Sequence, residues 1–281
     1  MKLAQEIVDT YRDHMKKSFA GVMPDPEAMC LAMFSEDKAR ETLDSVESHS
    51  GTLRGKRVLE VGCGNGMFLA AARQAGVLAY GIEPDAASVQ TAARVVTAYE
   101  SGGTVAGAVG EALPFGDEVF DVVCSSYVLE HVQDVPGVLG ECVRVLKTGG
   151  FAHFLLPNYG SIWEGHYQLF WLPYQPKWLA KVWVRLFGRD ASYVDTLHFI
   201  TVRKLAKTLG EQQNTEVITY GYDLWRERLM GADLGVWGNQ IGPISRLVRV
   251  LHRMGVAHVV AFGVRFLRAH YPIVLVVRKT G

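Results

Sequence analysis

The stretch that most constrains this chain is Val58-Leu-Glu-Val-Gly-Cys-Gly-Asn-Gly-Met-Phe-Leu69. A short apolar run meets three glycines at alternate positions and passes at once into an apolar-periodic segment. The spacing therefore predicts a strand over 57–61, a tight turn, and a helix over about 67–75. Glycine permits the left-handed backbone that such a turn needs and leaves main-chain atoms open to a ligand at the helix start. A strand that feeds a helix in this way belongs in a parallel sheet with helices packed on its faces. The sequence repeats the alternation, with strands predicted over 78–83, 104–108, 119–124 and 151–156 and helices over about 86–99 and 135–146. A further helix begins near Thr201, and strands follow near 216–220 and 273–277.

The glycine spacing also speaks to the ligand. A dinucleotide loop wants G-x-G-x-x-G, but Met67 stands three residues after Gly64, and Glu60 just before the loop would repel a pyrophosphate. Some twenty residues on, Glu83 in Gly81-Ile-Glu-Pro-Asp85 ends the second strand, where a carboxylate can accept both ribose hydroxyls of an adenosine. Before the fourth strand, Glu111 in Gly110-Glu-Ala-Leu-Pro-Phe115 can take the exocyclic amine of adenine, with Leu113 against the ring. Taken singly these features have plainer uses, the glycines as a simple turn and the carboxylates as surface groups.

Their order along residues 55–158 resembles the class I S-adenosyl-L-methionine-dependent methyltransferases. The matching features are E-x-G-x-G-x-G, an acidic end to strand two, the E-A-L-P-F loop, Phe120-Asp-Val-Val123, Leu129-Glu-His-Val132, and Leu139 through Gly150 followed by Pro157-Asn158. The resemblance implies a Rossmann-like α/β fold, a seven-stranded, mostly parallel sheet with helices on both faces, whose one antiparallel strand is the last. It implies S-adenosyl-L-methionine as cofactor, held by Glu60, Gly62, Gly64, Gly66, Glu83, Glu111, Ala112, Leu113 and Ser125. It also places the chain near the O-methyltransferases of quinones, sugars and natural products.

Methyl transfer to oxygen needs in-line positioning and commonly a base at the carboxyl edge of the sheet. His131, just past strand four, is the leading candidate; Glu164 and His166, in Trp163-Glu-Gly-His-Tyr167 after strand five, stand in reserve. Packing of the turn after strand four is the plainer role for Glu130 and His131. Similar quinone-type enzymes bear E-x-x-E-H, which can hold a divalent metal, but Tyr127 replaces the first glutamate here, and no metal is expected. Ser125-Ser-Tyr-Val128 stands where an (N/D)-P-P-(Y/F/W) motif would mark amino methylation of bases in nucleic acid.

The organisation is read as an N-terminal helical lid over 1–50, a donor-binding core over 51–158, an aromatic cap inserted after strand five over 159–200, and a C-terminal completion of the sheet over 201–281. With 29 cationic and 29 acidic residues the chain is formally neutral, which argues against DNA and RNA as partners. The balance hides a segregation: after Asp233 come seven cations and no acid, leaving residues 1–233 at −7. All six tryptophans lie after residue 160. The aromatic cap and the basic segment over 244–267 suit an acceptor pocket, plain core packing, or peripheral contact with a membrane. Four scattered cysteines and a charged N-terminus point to the cytoplasm, with the membrane surface as a second location. The reading is a methyltransferase acting on a small-molecule or lipid-linked acceptor; a cofactor-binding protein without transfer activity and an RNA methyltransferase using the basic segment are the alternatives.

Overall fold

The computed structural model of the chain describes residues 5–99, 104–231, 250 and 252–281. Seven strands form one sheet in the order β3-β2-β1-β4-β5-β9-β8. They are β1 (Arg57–Val61), β2 (Leu78–Glu83), β3 (Thr104–Gly107), β4 (Phe120–Ser126), β5 (Leu146–Leu156), β8 (Thr215–Thr219) and β9 (Ile273–Lys279). The first five are mutually parallel, and β9 runs antiparallel to both β5 and β8. The sheet thus has the predicted size and mixture, with the last strand the antiparallel one. β5 begins earlier than the predicted residue 151, because Phe120 already pairs with Leu146 before the register shifts.

Side-chain alternation on the central strands divides the core in two. Leu59 and Val61 of β1 pack with Val138, Leu139, Cys142 and Val145 of α6 (Val135–Val145) and with Leu205 and Leu209 of α9 (Val202–Gly210). Val58 faces the other way, into Leu43 and Val46 of α3 (Glu36–Ser50), Phe68, Leu69 and Ala72 of α4 (Met67–Gln74), and Ala92 and Val96 of α5 (Ala86–Ala98). Capping fixes where these helices start. Asp85 accepts from Ser88 N–H to cap α5, Ser35 caps α3 and Thr201 caps α9. All four cysteines are buried thiols.

The N-terminal segment holds three helices, α1 (Gln5–Ser18), α2 (Pro26–Met33) and α3. Ile7, Val8, Tyr11 and Met15 form the buried face of α1, as their spacing predicts. In the aromatic segment, for which no clean strand period is visible in the sequence, a small hairpin pairs β6 (Trp163–Glu164) with β7 (Leu169–Phe170). Helices α7 (Lys177–Leu186) and α8 (Tyr193–Thr196) follow it. α10 (Tyr222–Gly231) and α11 (Ala257–Leu267) lie between β8 and β9. Trp237, Arg246, Arg249 and most of the basic segment before Val250 fall outside the described residues. Among the described residues no helix is long and apolar enough to cross a membrane.

Leu59 is fully buried at the centre of the sheet. Leu59→Ala is expected to lower the unfolding free energy by about 2–5 kcal/mol in urea titrations, since the rigid strand on either side cannot collapse into the cavity.

Candidate active site

The glycine loop leaves β1 with all three glycines at positive φ, 75° at Gly62, 48° at Gly64 and 80° at Gly66. They serve different ends. A Cβ on Gly62 would lie 2.2 Å from Val128 Cγ2, and one on Gly66 would lie 2.8 Å from the Ala92 backbone, so these two are required by packing. At Gly64 the nearest atom is the Tyr11 hydroxyl at 3.8 Å, so this is the position of the three with room beside it. The amides of Gly62 and Cys63 both donate to the Ile82 carbonyl, which clamps the loop to the end of β2.

Glu83 stands at that end. Its Oε2 accepts from Gly64 N–H at 3.0 Å and its Oε1 from Asp85 N–H at 3.1 Å, and burial raises its pKa against the pull of these amides. Glu60 is buried behind the loop with Oε2 lacking any hydrogen-bond partner, and burial together with the Glu83 charge pushes its pKa well up. An orphaned carboxylate oxygen beside an open glycine cradle fits a cationic ligand group, and S-adenosyl-L-methionine carries both an ammonium and a sulfonium.

The other residues expected at the donor make contacts within the chain. Glu111 Oε1 accepts from Gln133 N–H at 2.7 Å and Asp134 N–H at 3.4 Å, so this carboxylate braces the start of α6. Leu113 is buried in the core beneath α6, and its N–H donates to Glu141. Ala112 N–H donates to the Val109 carbonyl within the same loop. Ser125 is buried and its hydroxyl donates to the Val61 carbonyl, tying β4 to β1 next to the glycine loop.

Three residues without a motif of their own fasten the N-terminal helices over the loop. The Tyr11 hydroxyl bonds the Ser88 side chain, and its ring packs edge-on against Phe34. His14 Nε2 lies 3.4 Å from Asp85 Oδ2. Asn65, between the glycines, donates to the Met33 carbonyl of α2 and accepts from Met67 N–H. The 3.6-residue spacing that made Tyr11 a core residue of α1 was the available signal; its contact with the loop is tertiary.

The candidate catalytic residues, separated in sequence by more than thirty positions, converge. The turn after β4 carries Glu130 and His131, and the hairpin of β6 and β7 carries Glu164 and His166. His131 Nε2 lies 3.2 Å from His166 Nε2, the rings meeting edge to face at 5.0 Å. His166 Nδ1 lies 2.7 Å from Glu164 Oε1, whose other oxygen accepts from Tyr167 N–H. The Tyr159 hydroxyl donates to Glu164 Oε1 at 3.3 Å, and Tyr193 packs against both imidazoles. Glu130, left outside the sequence-based catalytic set, is completely buried with both carboxylate oxygens unpartnered, Oε1 lying 4.0 Å from each Nε2.

Electrostatics assigns the protons. A carboxylate accepts only, so His166 Nδ1 is protonated toward Glu164. Burial opposes the charged form of His166, but Glu164 and Glu130 outweigh it and raise its pKa above the ordinary histidine value. Burial and the charges of His166 and His198 press His131 down to about 3. Burial lifts Glu130 to about 7, against the attraction of His166. Glu130, His131 and His166 also offer one ligand atom each within 4.8 Å of one another, a nitrogen-rich donor set of the kind that suits a divalent transition metal.

A separate open cleft of about 380 Å³ lies beside the cap, with Tyr159 and Phe199 on one side and Lys177, Arg203 and Lys204 around it.

Comparison with known proteins agrees with this geometry. Residues 59–154 match the family described as methyltransferase domain. An uncharacterized methyltransferase of Mycobacterium avium is 44% identical over 105 residues, 37% of this chain and 40% of the relative. One from Mycolicibacterium vanbaalenii is 41% identical over 120 residues, 42% of this chain and 46% of the relative. The chain thus spans less than half the length of these curated relatives. Crystal structures of the cyclase SpnF (TM-score 0.51, 19% identity, 85% of this chain and 81% of that one) and of MccD (TM-score 0.52, 15% identity, 85% and 96%) share the fold. The stretch from β1 to β5, which carries the glycine loop, Glu83 and His131, is thus the part of the chain that resembles the methyltransferase domain, and it lies on a Rossmann-like sheet.

Proposed function

We propose that the chain transfers a methyl group from S-adenosyl-L-methionine to an oxygen of a small, partly apolar acceptor such as a phenol or quinol, a sugar, or a lipid-linked glycan. The observation that carries this reading is the line Glu164–His166–His131, which joins the hairpin of β6 and β7 to the turn that Val128 packs against Gly62. Gly64, Glu60 and Glu83 would hold the donor, which when bound supplies an electrophilic methyl group on a sulfonium and leaves as a neutral thioether.

The residues then have distinct roles. His131 is about one-third exposed, and its Nε2 is turned inward to His166. Its Nδ1 takes the acceptor's hydroxyl proton while Nε2–H passes a proton to His166 Nε2. Positive charge comes to rest on His166 beside Glu164 and Glu130. The proton affinity of the site is thus that of His166, and His131 conducts. The methyl–sulfur bond breaks as the methyl–oxygen bond forms. The half-buried ring of Tyr193, which packs against both imidazoles, limits the access of water to them. The aromatic cap and the balanced charge support a small or lipid-linked acceptor over nucleic acid.

Incubation with methyl-labelled donor and fractionated cell extract is expected to form S-adenosylhomocysteine and place label in small molecules or lipid. Label in RNA or protein would overturn the acceptor class, and donor binding without turnover would leave a binding protein. Gly64→Val is expected to abolish donor binding in calorimetry, because both the positive φ and the open cradle are lost. His131→Ala and His166→Gln are each expected to lower kcat by about 10²–10⁴-fold. Because His166 is competent only when uncharged and its pKa is raised, wild-type kcat should fall as pH drops through a value above the ordinary histidine range. Dialysis against EDTA is expected to leave turnover unchanged; loss of activity restored by Zn²⁺ or Mg²⁺ would reassign Glu130, His131 and His166 to a metal.

A further inference from the structure

Helix α7 is amphipathic the wrong way round for a cap helix. Its buried residues are the small Ala180 and Val184. Trp178, Val182 and Leu186, spaced every four residues, point away from the core, with Trp178 67% and Leu186 74% exposed. At 3.6 residues per turn these three lie on the side opposite Ala180 and Val184. Phe187, Leu172 and Phe170 extend the exposed apolar surface at either end.

Helix α11 repeats the pattern. It buries Ala257 and Ala261 and exposes Val259, Phe262 and Phe266, at 71%, 73% and 76%. The two surfaces adjoin where the end of α11 meets the segment entering α7: the Tyr174 hydroxyl donates to the Leu267 carbonyl, and Asn158 Nδ2 to the Arg268 carbonyl. Phe266, Leu267, Tyr174 and Trp178 are all exposed across this junction.

The charges beside these faces are mostly cationic, although Arg278 and Lys279 stand apart on β9, paired with Glu216 and Glu118. Residues 175–189 contain Lys177, Lys181, Arg185 and Arg189 and no carboxylate, and residues 252–281 contain five cations and no carboxylate. Lys181 pairs with Asp195, and Arg265 lies over the Tyr222 ring. Large apolar side chains facing outward, flanked by lysine and arginine, are what an anionic lipid surface selects: the apolar groups enter the acyl boundary and the cations meet the headgroups. A second copy seated on the same face would instead oppose two mostly cationic surfaces.

We infer that α7 and α11 form one docking surface for an anionic lipid bilayer. The inward side of α7 places this surface close to the chemistry, because Ala180 and Val184 share a cluster with Tyr167, against which Tyr193 packs, and Tyr193 touches His131 and His166. The inference stands on the outer faces of the two helices and holds whether or not methyl transfer is the activity.

The test is co-sedimentation of the full chain with vesicles of phosphatidylcholine alone or mixed with phosphatidylglycerol, at low salt. The wild type is expected to sediment with the mixed vesicles and not with phosphatidylcholine alone. W178E/L186E and F262E/F266E should each weaken binding by at least about tenfold while keeping the wild-type circular dichroism and melting temperature, since the altered side chains leave the core intact. Absence of binding to mixed vesicles, or unchanged binding by well-folded variants, would overturn the inference. So would a wild-type dimer in light scattering that either variant converts to a monomer, which would assign the face to a second copy.

Discussion

The close approach of Val128 to Gly62 fixes the geometry on which the rest of the site depends. Since Gly62 has no Cβ, the turn after β4 can press directly against the glycine loop that follows β1. Any other residue would have to push one of the two away. The donor cradle and the histidine-bearing turn therefore sit side by side as a consequence of sheet order, β1 next to β4, and of one absent methyl group. Positioning of this kind is where much of the barrier to a displacement reaction is overcome.

The second organising feature is a pair of buried carboxyl groups with unpartnered oxygens. Burying a carboxyl group with no hydrogen bond is costly, and Glu60 and Glu130 both do so at this edge of the sheet. Each faces a place where positive charge is expected, Glu60 beside the loop and Glu130 beneath the two imidazoles. A protein that gives up stability at two such points keeps a site prepared for cations, and the tight core on both faces of the sheet carries that loss.

The fold was legible because its signals are local. Apolar runs, glycine turns and capping residues such as Asp85 and Thr201 lie within a few positions of the elements they define, and the sheet formed largely where those signals pointed. The parts that escaped depend on contacts between distant segments. Sequence showed His131 and His166 as separate candidates thirty-five positions apart; only the hairpin of β6 and β7 turns them into a pair. Glu130 read as a packing residue because nothing in Leu129-Glu-His-Val132 reveals that its oxygens lack partners. Glu111 and Leu113 are expected at adenine from the motif alone; that they also brace α6 and fill the core is tertiary and has no signal in the motif. The cap helices were harder still, as an apolar period looks the same whether its large residues face in or out.

Tyr11, His14 and Asn65 hold the first two helices across the glycine loop through a hydroxyl bond, a part-exposed ion pair and a side-chain amide bond. None of the three is strong, and the pair of His14 with Asp85 is weakest because water screens it. What stands nearest the open side of Gly64 is the Tyr11 hydroxyl, 3.8 Å from where a Cβ would be. The first helix is therefore part of the wall of the loop, so that the one glycine of the three with free space beside it looks onto a side chain some fifty positions earlier in the chain.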